Sequence, residues 1–221
     1  MDVRQLVDLV HGSCRWPCDY QADMVIDNHF DAETLTRTVE LLSGAFRGMV
    51  RTISLENYAG EAFPALSIGH LFPAVEKISF ISCQNLTTIE SISGFRALQK
   101  LHAAFCPQLL SVYCSGKNSV TDLEVRVSGS ADQRPADILC DNGRIRHCRI
   151  INTHYSHRTW MSIQKNTASI VDLQMTNSRP SLQLEVLKRT FPNLHTVIDT
   201  GGNRWARAGD LAKQRENRKK P

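Results

Sequence analysis

The sequence predicts an α/β fold of stacked repeats, a solenoid of about seven turns with a parallel β-sheet along its concave side and helices or loops along its convex side. Three observations carry this expectation. A short phrase, apolar-x-x-apolar-x-apolar, recurs at residues 50–55, 75–80, 98–103, 120–125, 145–150 and 170–175, beginning at Val50, Val75, Leu98, Val120, Ile145 and Ile170. A seventh copy from Leu194 keeps the first two apolar positions and has Asp199 at the third. Successive copies begin 22 to 25 residues apart, a period that belongs to stacked units rather than to one globule.

The last step of the phrase has period two, so a short strand sends alternate side chains to one face. Ile53, Ile78, Leu101, Leu123, Cys148, Leu173 and Val197 then stack as one internal row. Each large apolar side chain buried there contributes about 1.5–3 kcal/mol, and no repeat hides its share alone. The repeats therefore fold together.

In chain order, residues 1–23 form an N-terminal cap with a short helix over 3–10, and Met24, Val25 and Ile26 read as a degenerate first strand. Leu35, Val39, Leu42 and Phe46 lie at helical spacing behind Asp31, a suitable N-cap, so 32–46 reads as one helix. Residues 62–74 and 107–118 are studded with Pro, Gly and Ser and read as loops or short turns. The weakly patterned stretch 128–142 reads as a protruding loop. Pro180 precedes Leu182, Leu184, Val186 and Leu187, which predict a helix over 181–190. Repeats fill 24–203, and a basic C-terminal tail occupies 204–221.

Val75, Ile78, Phe80, Cys83 and Leu86, and again Leu98, Leu101, Ala103, Cys106 and Leu109, follow L-x-x-L-x-L-x-x-N/C-x-L with one extra residue before the last leucine. On these residues the chain resembles the leucine-rich repeat over roughly 24–200, in the cysteine-containing form similar to intracellular members. Ala103 and Asp199 depart from that pattern, and repeats from Val120 onward lack the Cys or Asn at the turn. The resemblance implies a concave strand face used for binding.

The 221 residues are 42% hydrophobic and carry a net charge of +4. Arg204, Arg207, Lys213, Arg215, Arg218, Lys219 and Lys220, against Asp210 and Glu216, place all of that excess in the tail. The remainder holds 19 basic and 20 acidic side chains. No apolar run is long enough for a membrane span, and Asp2 and Asp8 interrupt any secretory or mitochondrial leader. Seven cysteines, an odd number without framework spacing, indicate reduced thiols in an intracellular compartment, cytoplasmic or mitochondrial.

The repeat register turns variable positions toward the concave face, where Lys77, Lys100, His102, Asp122, Glu124, Arg126, Arg146, His147 and Arg149 form a mixed-charge patch with Phe105 as an apolar anchor. Mixed sign suits a protein partner better than a phosphate backbone. An RNA or an acidic protein would instead meet Lys213, Arg215, Arg218, Lys219 and Lys220 of the tail.

No nucleophile elbow, phosphate loop, dinucleotide fingerprint or zincin helix is present, and no small-molecule substrate, cofactor or catalytic set is expected. Cys14 and Cys18 near His11 and His29 miss the usual zinc spacing. His147, Cys148, His154 and His157 do not converge if Cys148 enters the core. The sequence thus predicts a non-enzymatic interaction scaffold, a structural subunit of a larger assembly. Alternatives are a ribonucleoprotein component, on a cytosolic or mitochondrial ribosome, and a ubiquitin-ligase substrate receptor; residues 1–23 are too short for the adaptor domain of the latter.

Overall fold

The computed structural model describes residues 22–28, 30–114, 119–127 and 134–207. Its elements run β1 (Ala22–Ile26), α1 (Ala32–Leu41), α2 (Gly44–Met49), β2 (Val50–Glu56), β3 (Ala62–Phe63), α3 (Ala65–Ile68), β4 (Lys77–Ile81), β5 (Thr88–Ile89), β6 (Lys100–Ala104), β7 (Ser111–Tyr113) and β8 (Asp122–Arg126). They continue with β9 (Asp137–Leu139), β10 (His147–Ile151), α4 (His157–Gln164), β11 (Asp172–Gln174), α5 (Leu184–Thr190), β12 (Thr196–Ile198) and β13 (Arg204–Ala206). The fold is α/β, with few and short helices.

Nine strands make one sheet in the order β1-β2-β4-β6-β8-β10-β11-β12-β13, parallel throughout except for the final antiparallel β13. The inward row pairs residue to residue, Ile53 with Ile78, Ile78 with Leu101, Leu101 with Leu123, Leu123 with Cys148, Cys148 with Leu173 and Leu173 with Val197. Every member is buried. Small Ala103 sits beside Phe80 in the adjacent inward row, and the Phe80 ring meets Phe63 edge-on at 5.0 Å.

Opposite this sheet lies a second, four-stranded parallel one, β3-β5-β7-β9. It corrects the sequence-based assignment of 62–74 and 107–118 to loops or turns and of 128–142 to a protruding loop. Strands of two or three residues are too short to show an alternating pattern, and only stacking on their neighbours makes them strands. Residues 128–133 of the expected loop lie outside the described residues, as does the helix expected over 3–10. Gly69 and Gly94, in the segments that follow β3 and β5, meet at backbone contact; a Cβ on Gly69 would sit 2.9 Å from the Gly94 carbonyl carbon.

The helix expected over 32–46 is two helices. Leu42 adopts an extended conformation, and Ser43 caps α2 by accepting from the Phe46 N–H at 3.1 Å, which starts a new axis. Asp31 caps α1 as its spacing predicts. The helix expected over 181–190 begins later, at Leu184.

A repeated turn follows β2, β4, β6, β10 and β11 of the large sheet. Asn57, Ser82, Phe105, Asn152 and Asn177 all have φ between 51° and 58°, and each N–H donates at 3.0 Å to a carbonyl of the next unit. The residue after each is buried, namely Tyr58, Cys83, Cys106, Thr153 and Ser178. Cys83 and Cys106 donate from sulfur to neighbouring carbonyls. In later units Thr153 donates to Ile151 O at 2.9 Å and Ser178 to Ile150 O at 2.8 Å, so hydroxyls replace the thiol. Asp199, where the phrase breaks, accepts from Asn203 N at 2.8 Å and from Asn203 Nδ2 at 2.9 Å, closing the turn into β13.

Helix α4 closes the free edge of the small sheet with polar side chains. Thr159 accepts from Ile138 N at 2.8 Å and donates to Ala136 O at 2.9 Å, while Ser162 accepts from Cys140 N at 2.7 Å. Asn166, just beyond the helix and 1% exposed, donates to Cys140 O and accepts from Ile145 N at 3.2 Å. Because Thr159 and Ser162 share this inner face with Ile163 alone, its helical period is weak in a hydrophobic scan. Among the described residues, no helix is long and apolar enough to cross a membrane. Asn166→Ala is expected to lower unfolding free energy by about 2–3 kcal/mol, since it strands two buried backbone groups. Urea titration should show a lower midpoint with an unchanged slope; an unaltered midpoint would refute the edge-closing role.

Candidate binding face

Alternate residues of a strand share a face. On the open side of the large sheet, Lys77, Lys100, Asp122, His147 and Asp172 therefore form one row, and Ser79, His102, Glu124, Arg149 and Gln174 the next, each paired directly with its neighbour. Lys77, Lys100, His102, Asp122, Glu124, His147 and Arg149 line a hollow of about 270 Å³. A second hollow of about 280 Å³, lined by Asp172, Gln174, Thr196, Ile198 and Arg204, shares Arg149 as a wall. Together they make a groove that crosses the strands.

The acids of this groove are engaged. Glu124 meets Arg149 Nη1 at 3.1 Å, Arg126 Nη2 at 3.4 Å and His102 Nε2 at 3.6 Å. Asp172 pairs with His147 Nδ1 at 2.7 Å and accepts from the Thr196 hydroxyl, and Asp122 accepts from the Thr121 hydroxyl at 2.6 Å. Exposed pairs of this kind contribute about 0–1 kcal/mol each, so the network orients side chains more than it stabilises the fold. Lys77 and Lys100 stand directly opposite one another, and among the described residues no carboxylate pairs with either. Like charges in that arrangement oppose folding.

His102 is half-buried beside this charge. Burial holds its imidazole below the ordinary value; Glu124 pulls the other way, and Lys77, Arg126 and Arg149 reinforce the lowering. The Glu124 contact is therefore made mostly by a neutral ring at neutral pH. Two polar atoms at this face, Ser79 Oγ and Arg126 Nε, are buried without a hydrogen-bond partner among the described residues.

Phe105 occupies the left-handed turn position, φ 58°, and is 46% exposed with the Arg126 guanidinium 5.8 Å from its ring centroid. An L-residue held there costs about 1–2 kcal/mol, which Asn or Gly relieves. Asn fills the equivalent place at Asn57, Asn152 and Asn177. The aromatic choice at 105 thus opposes stability and presents a ring to solvent.

Of the residues singled out by sequence, Lys77, Lys100, His102, Glu124, His147 and Arg149 come together in the first hollow, and Arg126 and Phe105 lie at the strand ends beside it. Arg146 is exposed just before β10 and does not line either hollow. Lys213, Arg215, Arg218, Lys219 and Lys220 lie outside the described residues, as do His11, Cys14, Cys18 and His29. Cys148 is fully buried while His147 faces the groove. Among the described residues, no three His, Cys, Asp or Glu side chains gather as a metal site would require.

Sequence reading assigned Arg204 to the tail, whereas Arg204–Ala206 pairs antiparallel with β12 and puts Arg204 in the groove. Gly201 and Gly202 between the two segments are the hairpin signal that marks this return. No family model, no curated protein and no solved structure matches this chain.

Two measurements check these energetics. Phe105→Asn is expected to raise unfolding free energy by about 0.5–1 kcal/mol, strain relief exceeding the lost cation–π contact; a destabilised variant would contradict the strain assignment. For His102, the unfolded chain takes up a proton near pH 6.5 and the folded chain only below that. The unfolded state therefore binds more protons in this window, and stability falls as pH drops through it. Denaturation midpoints from pH 7 to 5 should fall more steeply for the wild type than for His102→Gln, and identical slopes would count against the assignment.

Proposed function

We propose that the chain is a leucine-rich-repeat solenoid acting as a non-enzymatic protein-interaction scaffold, a structural subunit of a larger intracellular assembly. The carrying observation is the groove across the open sheet face, where folding stability is given up at Lys77, Lys100 and Phe105 to keep two cations and one ring available. Support for the repeat assignment comes from the direct pairing of the inward row and from the turn that recurs with one backbone conformation. The buried cysteines Cys83, Cys106, Cys114, Cys140 and Cys148 suit a reducing compartment.

A second reading, a ribonucleoprotein component, is favoured by the basic charge gathered in 204–221 and by β13, which anchors the start of that segment to the sheet. Tagged full chain, its Phe105→Ser/Arg149→Ser variant and a chain lacking residues 213–221 would be recovered from cells and their co-purifying proteins quantified with and without ribonuclease. A defined protein set lost from the double variant and resistant to ribonuclease is expected. A set lost on ribonuclease treatment or tail removal, and unaffected by the face variant, would replace the scaffold reading with the second one.

A further inference from the structure

Resting on the scaffold reading, we infer that the groove binds an extended acidic protein segment whose carboxylates lie at its two ends with neutral residues between. Lys77 and Lys100 lie at one end and Arg204 at the other, and among the described residues none of the three has a carboxylate partner. Between them, the floor carries Asp122, Glu124 and Asp172, each with a hydrogen-bond or ion-pair partner of its own. Glu124 is held by Arg149 and Arg126, and Asp172 by His147. The groove therefore carries unpaired cations at its ends and engaged acids in its middle.

That distribution selects the occupant. A nucleic-acid strand carries a phosphate at every step and would place charge against Asp122, Glu124 and Asp172, where nothing is left to neutralise it. A peptide backbone is neutral and can confine its carboxylates to the ends. Lys77 on β4 and Arg204 on β13 are six strand spacings apart in the sheet. At roughly 4.8 Å per strand and 3.3 Å per extended residue, that span is seven to nine residues when measured from Lys100 or Lys77.

Random ten-residue peptides displayed on phage and selected on the full chain at low salt test the inference. Enriched sequences should carry Asp or Glu at two positions seven to nine residues apart. A synthetic selected peptide should bind Lys77→Gln/Lys100→Gln at least tenfold more weakly. Selection on Lys77→Glu/Lys100→Glu should turn one end of the motif basic and leave the other acidic. These lysines are exposed and face one another, so the neutral pair should melt at or slightly above the wild type, and weaker peptide binding by it is not a folding effect. Absence of enrichment, enrichment without the acidic pair, an unchanged motif on the reversed variant, or displacement of the peptide by single-stranded RNA at lower concentration would each overturn it. Retention of the cellular protein set by the Lys77→Gln/Lys100→Gln variant, with loss only in Phe105→Ser/Arg149→Ser, would reject the acidic segment and leave the scaffold reading in place.

Discussion

Register between neighbouring strands is the constraint on which this molecule depends. A strand of three to seven residues has unpaired N–H and C=O groups on both edges and one or two large side chains to hide, and neither need is met within its own unit. Parallel pairing meets both together. When Ile78 lies opposite Ile53 and Leu101, the backbone ladder closes and the inward row is dry. A slip of one residue would put Ser79 or His102 into the core and Ile78 or Leu101 into water.

The turns preserve that register. A left-handed residue after β2, β4, β6, β10 and β11 sends its N–H to the next unit at 3.0 Å, which extends the ladder around the corner. A buried thiol or hydroxyl then occupies the next position; Cys83, Cys106, Thr153 and Ser178 are chemically different answers to one need, a small side chain that donates to a carbonyl. At the edges the solution changes. Helix α4 with the adjoining Asn166 satisfies the last short strand through side chains, and β13 covers the large sheet by reversing direction.

Much of this was legible in the chain. The spacing of apolar residues located the strands of the large sheet and their inward row, because burial on one face imposes period two. The same spacing located Lys77, Lys100, His102, Glu124, His147 and Arg149 on the opposite face, which the structure brings into one hollow. The second sheet was not legible, since two-residue strands such as Ala62–Phe63 carry no period. Nor was α4, whose inner face reads as polar. Arg204 was hidden for a different reason: its placement depends on a chain reversal at Gly201 and Gly202, and composition grouped it with the basic residues that follow.

By itself the sequence determined the period, the identity of the buried row and the sign of each exposed charge, because these follow from side-chain chemistry at fixed spacing. Only the tertiary structure decided which charges are neutralised. Glu124 reaches arginines on its own strand and the next and a histidine on the strand before, Asp172 binds a histidine from the neighbouring strand, and Lys77 faces Lys100, neither ion-paired with a carboxylate among the described residues. The contacts between strands, Glu124 with His102 and Arg149 and Asp172 with His147, join residues more than twenty positions apart across 2.7 to 3.6 Å and exist only once neighbouring units have stacked. Coulomb interaction falls with separation and with screening by water, so a list of charges acquires a pattern of paired and unpaired groups only when stacking sets those separations.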